Sequence, residues 1–104
     1  MNTIDLITAQ FSATIKKKLG SHLKSLIIFG SRARGDASPT SDYDFLVIVN
    51  EKNPQIVQTV RKIEVDMIDA FGVLSGSLIF TEQEWASRKN FPIAKNIERE
   101  GIAL

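Results

Sequence analysis

A chain of 104 residues, 43% hydrophobic and 24% charged, has the make-up of an ordinary globular protein and reads as one domain spanning residues 1–104, large enough to fold on its own core. Its formal net charge of +1 argues against a nucleic-acid polymer as partner, which would call for a strongly basic face, and the absence of cysteine excludes disulfides, thiolate metal sites and a cysteine nucleophile. No apolar run approaches membrane-spanning length and Met1-Asn2-Thr3-Ile4-Asp5 shows no leader pattern, so the cytoplasm is the expected compartment.

Ile4, Ile7, Phe11, Ile15 and Leu19 recur at three- and four-residue steps and predict an amphipathic helix from about Thr3 to Leu19, ended by Gly20. Lys16-Lys17-Lys18 spread around that helix and solvate its last turn without forming a patch. His22, the chain's one histidine, excludes a histidine-based metal cluster. A first strand, Ser25 to Phe29, runs into Gly30-Ser31, and Arg32-Ala33-Arg34 begin a short helix, so backbone N–H groups and a hydroxyl meet where anions are favoured. Gly35-Asp36 and Ser38-Pro39-Thr40-Ser41, taken alone, read as a turn cluster. A second strand, about Tyr43 to Asn50, opens with Asp42-Tyr43-Asp44. Asp is depleted in strands, and residues two apart on a strand share a face, so this pair sets two hard oxygen ligands side by side, as Mg²⁺ requires. Both strands are continuous apolar runs, as central strands are.

Pro54 suits the first position of a helix, and Ile56, Val60, Ile63, Met67 and Phe71 make one stripe ending at Gly72. This helix is the expected crossover to a third strand, Val73 to Phe80. Thr81-Glu82-Gln83-Glu84 is a capping box, and Phe80 and Trp85 occupy the staple positions, which makes Trp85 a packing residue and not a base-stacking platform. Pro92 opens a last helix, Ile93 to Arg99, and Gly101 releases the chain into Ile102-Ala103-Leu104.

Gly-Ser, ten residues, then Asp-x-Asp between two hydrophobic strands resembles the signature of the DNA polymerase beta-type nucleotidyltransferases. The small size and the Glu100-Gly101 ending resemble the minimal nucleotidyltransferases of bacteria and archaea, so the resemblance covers nearly the whole chain. It implies an α/β (α+β) fold, a small mixed sheet with helices packed mainly on one face. It also implies that Gly30, Ser31 and Arg34 hold the triphosphate and that Asp42 and Asp44 are catalytic and hold Mg²⁺. The implied reaction transfers a nucleoside monophosphate, most simply AMP from ATP, to a hydroxyl of a partner. Such domains resemble the antitoxin half of two-gene toxin–antitoxin pairs whose partner is a helical HEPN protein; homo-oligomerisation stays open.

The chain departs from the family at one place. The family's third carboxylate, on the strand after the crossover helix, has no counterpart between Val73 and Phe80. Counting back from the Thr81 cap puts the lost aspartate at Gly76, or at Ser77 if the register slips by one. Alternatively, Glu64-Val65-Asp66-Met67-Ile68-Asp69 is itself the third strand and Asp66 or Asp69 supplies the ligand, which breaks the helical stripe and leaves about a dozen residues for the crossover. Two functional readings follow: an AMP-transferring enzyme, or a catalytically weak module of the same fold that acts by binding nucleotide or partner.

Overall fold

The computed structural model describes residues 4–104, so Thr3, the expected first helical residue, lies outside the described residues. Helix α1 runs Leu6–Leu19. Asp5 starts it: the N–H of Thr8 donates to Asp5 Oδ1 at 2.7 Å, which satisfies one of the donors that a first turn leaves unpaired. Phe11, Ile15 and Leu19 are buried, whereas Ile4 precedes the helix at 42% exposure and drops out of the stripe. A 3-10 turn at Gly20–His22 leads into β1, Leu23–Phe29, followed by the four-residue α2, Ser31–Arg34, and β2, Tyr43–Val49.

The crossover helix α3 runs Pro54–Phe71, its first turn held by the Asn53 side chain, which accepts from the N–H of Ile56 at 2.9 Å. Ile56, Val60, Ile63 and Met67 point inward; Phe71, at the last turn, is 38% exposed. Residues 64–69 are helical and Asp66 and Asp69 are exposed, which rules out the strand alternative for that segment. β3 is Ser75–Thr81, α4 is Glu82–Ser87, α5 is Pro92–Glu100, and Ile102–Ala103 forms a short strand, β4. The capping box is made at both bonds: the N–H of Glu84 donates to Thr81 Oγ1 at 3.1 Å, and that of Thr81 to Glu84 Oε1 at 3.0 Å. Phe80 and Trp85 stack at 5.9 Å, so Trp85 does pack as a staple. No described helix is long and apolar enough to cross a membrane.

The four strands lie in the order β3-β2-β1-β4, with β1 antiparallel to both neighbours and β2 parallel to β3. Alternation along β2 sorts its side chains between two cores. Tyr43, Phe45, Val47 and Val49 join Phe11 and Ile15 of α1 and Ile56, Val60 and Ile63 of α3. Leu46 and Ile48 join Ile97 of α5, with Trp85 of α4 packed against them. The two long helices therefore cover one face and the two short ones the other. Each β2 side chain fully removed from water contributes about 1.5–3 kcal/mol, which makes β2 the anchor of the sheet and holds the two aspartates at its mouth on a rigid base.

Candidate active site

β1 finishes at the end of the sheet where its neighbours β2 and β4 begin, and β3, parallel to β2, begins there too. In the register Asp44 is paired with Phe29 on one side and with Gly76 on the other. The chain leaves β1 through Gly30 at φ 76 and ψ −158, a backbone region essentially restricted to glycine. A β-carbon at Gly30 would lie 2.5 Å from Asp44 Oδ2. The glycine is therefore needed twice, for its dihedrals and for the space the Asp44 carboxylate occupies. The N–H groups of Ala33 and Arg34 close the turn on the Gly30 carbonyl at 3.1 and 3.0 Å, and half-buried Ser31 heads α2.

Asp42 is exposed and immediately precedes β2; Asp44 is half-buried. Burial, and next the charge of Asp42, push the Asp44 carboxyl above its ordinary value, while the charge of Arg34 partly opposes them. Among the described residues no group of three His, Cys, Asp or Glu side chains gathers as a metal cluster. One exposed and one half-buried carboxylate suit an ion of Mg²⁺ type, which commonly takes one or two carboxylates and completes its shell with water and phosphate oxygens. Gly76 adjoins Asp44 under open space, since a β-carbon there would meet nothing within 4 Å. Ser77 turns to the opposite face, only 6% exposed, its hydroxyl buried without a partner among the described residues.

The connection that carries Asp42 is tied down by Arg32, which sequence reasoning did not single out. Its Nη2 donates to the Ser41 carbonyl at 2.8 Å and to that of Pro39 at 3.4 Å, and its guanidinium lies 4.3 Å from the Tyr43 ring centroid. Tyr43 in turn donates its hydroxyl to Asp5 Oδ2 at 2.6 Å. Burial, with the Asp5 hydrogen bond and charge, pushes the Tyr43 phenol up to about 12. The Ser38–Ser41 segment folds on itself, the N–H of Ser38 donating to Ser41 Oγ at 2.9 Å, so the turn cluster is real and leads directly into Asp42. Beside Asp42, Pro39, Thr40, Ser41, Gly72, Val73 and Leu74 line a cleft of ≈ 210 Å³.

Arg34 sits in the same turn as Gly30 and Ser31, with its guanidinium between two carboxylates: Nε to Asp36 Oδ2 at 3.1 Å and Nη1 to Glu100 Oε1 at 3.0 Å. Glu100 entered the sequence reading only through the Glu100-Gly101 ending, with no link to Arg34. No local pattern could supply that link, because Glu100 meets Arg34 across a separation of 66 residues.

Residues 9–102 match the nucleotidyltransferase domain family. A protein of Methanocaldococcus jannaschii named as a candidate protein adenylyltransferase is 26% identical over 95 residues, 91% of each chain. A crystal structure of a toxin–antitoxin with AMP-PNP is similar in fold at a TM-score of 0.65 and 14% identity, covering 90% of this chain and 69% of that one. A mutant of the toxin–antitoxin MntA-HpeT gives a TM-score of 0.64 at 13% identity, covering 98% and 72%.

Proposed function

The chain belongs to the nucleotidyltransferase domain family, and from that premise we propose that it transfers AMP from Mg·ATP to a hydroxyl of a partner protein, a helical HEPN-type chain, as the antitoxin of a cytoplasmic toxin–antitoxin pair. The observation that carries this reading is the convergence of the Gly30 turn and the Asp42 and Asp44 carboxylates at one sheet end, with Asp44 packed directly against Gly30. The protein adenylyltransferase name of the archaeal relative and the AMP-PNP of the toxin–antitoxin neighbour support the choice of nucleotide and of a protein acceptor.

In this reading the Gly30–Ser31 turn presents backbone N–H groups and a hydroxyl to the phosphates, and Arg34 adds positive charge beside them. Asp42 and Asp44 would hold Mg²⁺, which when bound draws charge from the phosphate oxygens. The acceptor oxygen forms a bond to the α-phosphorus as the bond to the bridging oxygen breaks, pyrophosphate leaves, and the hydroxyl proton passes to a carboxylate or to water. A second reading is favoured by one observation, the open place at Gly76 where no third carboxylate stands. There the same site binds nucleotide and the protein neutralises its partner by covering it, with little transfer.

Calorimetry with Mg·AMP-PNP, and mass measurement on the partner encoded beside the gene after incubation with Mg·ATP, test both readings. Wild-type protein should bind and the partner should gain AMP. Asp42→Asn combined with Asp44→Asn should abolish metal-dependent binding while the thermal melt is unchanged or rises, because the two carboxylates repel one another without a cation. Indistinguishable titrations by the two proteins would sink the site assignment, and binding without any gain of mass would favour the second reading.

A further inference from the structure

The Glu100 end of the Arg34–Glu100 contact is fixed by the fold. Glu100 closes α5 with its side chain only 18% exposed. The next residue, Gly101, has no room for a β-carbon, which would fall 2.5 Å from the Ile97 carbonyl oxygen and 2.7 Å from Cγ2 of Ile27 in β1. Its N–H donates to that same carbonyl at 2.7 Å, and Ile102 then pairs with Ile28. Glu100 is thus locked to β1, the strand that delivers Gly30. At the other end Arg34 donates from Nε to Asp36 and from Nη1 to Glu100, which leaves Nη2 as the nitrogen without a partner among the described residues. A guanidinium is a rigid plane, so fixing two of its nitrogens aims the third.

We propose that Glu100 is a positioning residue for the nucleotide, clamping the Arg34 guanidinium beside the Gly30–Ser31 turn so that its uncommitted Nη2 meets a phosphate oxygen. This rests on the nucleotide reading of that turn. The physical gain is pre-organisation: an arginine side chain free to wander loses rotamer freedom when a ligand orders it, whereas one already held by two carboxylates has little left to lose. Asp36 is exposed and can hold only one edge of the plane; Glu100, seated on the sheet, supplies the reference point.

The test is a set of Mg·AMP-PNP titrations on wild-type protein, Glu100→Gln, Glu100→Asp, Arg34→Met and the double variant Arg34→Met/Glu100→Gln. Lys62→Met serves as control, since it breaks an exposed pair with Asp66 far along α3. Glu100→Gln should weaken Kd roughly 2- to 10-fold, the effect of one side chain no longer pre-ordered. Glu100→Asp should fall between it and wild type. Arg34→Met should weaken Kd more, and the double variant no further than Arg34→Met alone, since Glu100 acts through the arginine. In nucleotide-free protein the N–H groups of Gly35 and Asp36, which both donate to the Ser31 carbonyl, should exchange faster in Glu100→Gln. An unchanged or tighter Kd in Glu100→Gln, additive losses in the double variant, or unaltered exchange at Gly35 and Asp36 would each overturn the role of Glu100 alone. Wild-type protein that binds no Mg·AMP-PNP would instead overturn the reading of the turn, and this role with it.

Discussion

At Gly30 the backbone and the Asp44 carboxylate both require the same atom to be missing. Its dihedrals cost a non-glycine residue on the order of 1–3 kcal/mol, and a β-carbon would also collide with Asp44 Oδ2. Gly30→Val is therefore expected to lower the melting temperature and to displace Asp44, losing nucleotide binding with it. Ser31→Ala should leave the melt alone and lose at most one charge-assisted hydrogen bond, about 1.5–3 kcal/mol of nucleotide affinity. Small, equal effects from both would refute the assignment of this turn. The turn at Gly30 was legible in the sequence from its place between an apolar strand and Ser31; the Asp44 carboxylate on the neighbouring strand, which fills the space a β-carbon would take, was not. Asp5 was not legible at all, since the helix was expected to start at about Thr3 and nothing local pointed to Tyr43. Burial would raise the Asp5 carboxyl, yet hydrogen bonds from Tyr43 and Thr8, aided by Arg32, leave it lower than the ordinary 3.8. Its stabilising contribution is complete above 3.8 and is lost as pH falls through the lowered folded value. Tyr43 works in the other direction, favouring the neutral phenol, so its contribution is complete below 10.0 and is lost as pH climbs toward about 12. Denaturant melts across both ranges should show an acid arm that Asp5→Asn flattens and an alkaline arm that Tyr43→Phe removes. Arms unchanged in these variants would show that other groups carry the pH dependence.

Strand β3 carries the sharpest element-level consequence, since its register decides what an added carboxylate would do. Gly76 pairs with Asp44 and faces open space, whereas Ser77 points into the core beneath α3. Gly76→Asp should tighten divalent-cation binding and raise AMP transfer to the partner, general-base assistance being worth about 10²–10⁴-fold. Ser77→Asp should chiefly lower stability by burying an unpaired charge. Transfer raised equally by both, or by neither, would remove β3 from the site. That register was readable because Thr81-Glu82-Gln83-Glu84 marks where the strand must stop, and counting back from a cap fixes which residues share a face. Elements with a long period or a cap were legible in this way: α1, α3, α4 and the two central strands. β4 was not, because two residues carry no period and pair only after β1 is in place. The Arg32 and Arg34 contacts escaped for a related reason, since their partners are backbone carbonyls of a folded connection and a glutamate from the last helix.

For the molecule as a whole, the order β3-β2-β1-β4 brings the end of β1 and the starts of β2 and β3 to one end of the sheet and gathers the candidate residues from a single connection, Gly30 to Asp42, plus the first residues of β2. The mixed sheet with its long helices on one face was legible because β2 is apolar at nearly every position, which demands cover on both sides, and the long periodic stripes of α1 and α3 supply it on one of them. The pairing of β1 with β4 also sets a sequence in time. Closing the loop between β1 and β2 costs less chain entropy than bringing Ile102 back to Ile28 from near the other end of the described chain. In pulse-labelled refolding the amides shared by β1 and β2 should therefore gain protection before the N–H of Leu104, which donates to the Leu26 carbonyl at 2.9 Å; protection in the opposite order would contradict this. A refolding chain would thus own its carboxylate pair and its glycine turn while Arg34 still swings free of Glu100, and on the role proposed for Glu100 any nucleotide it met then would be held more loosely than by the finished fold.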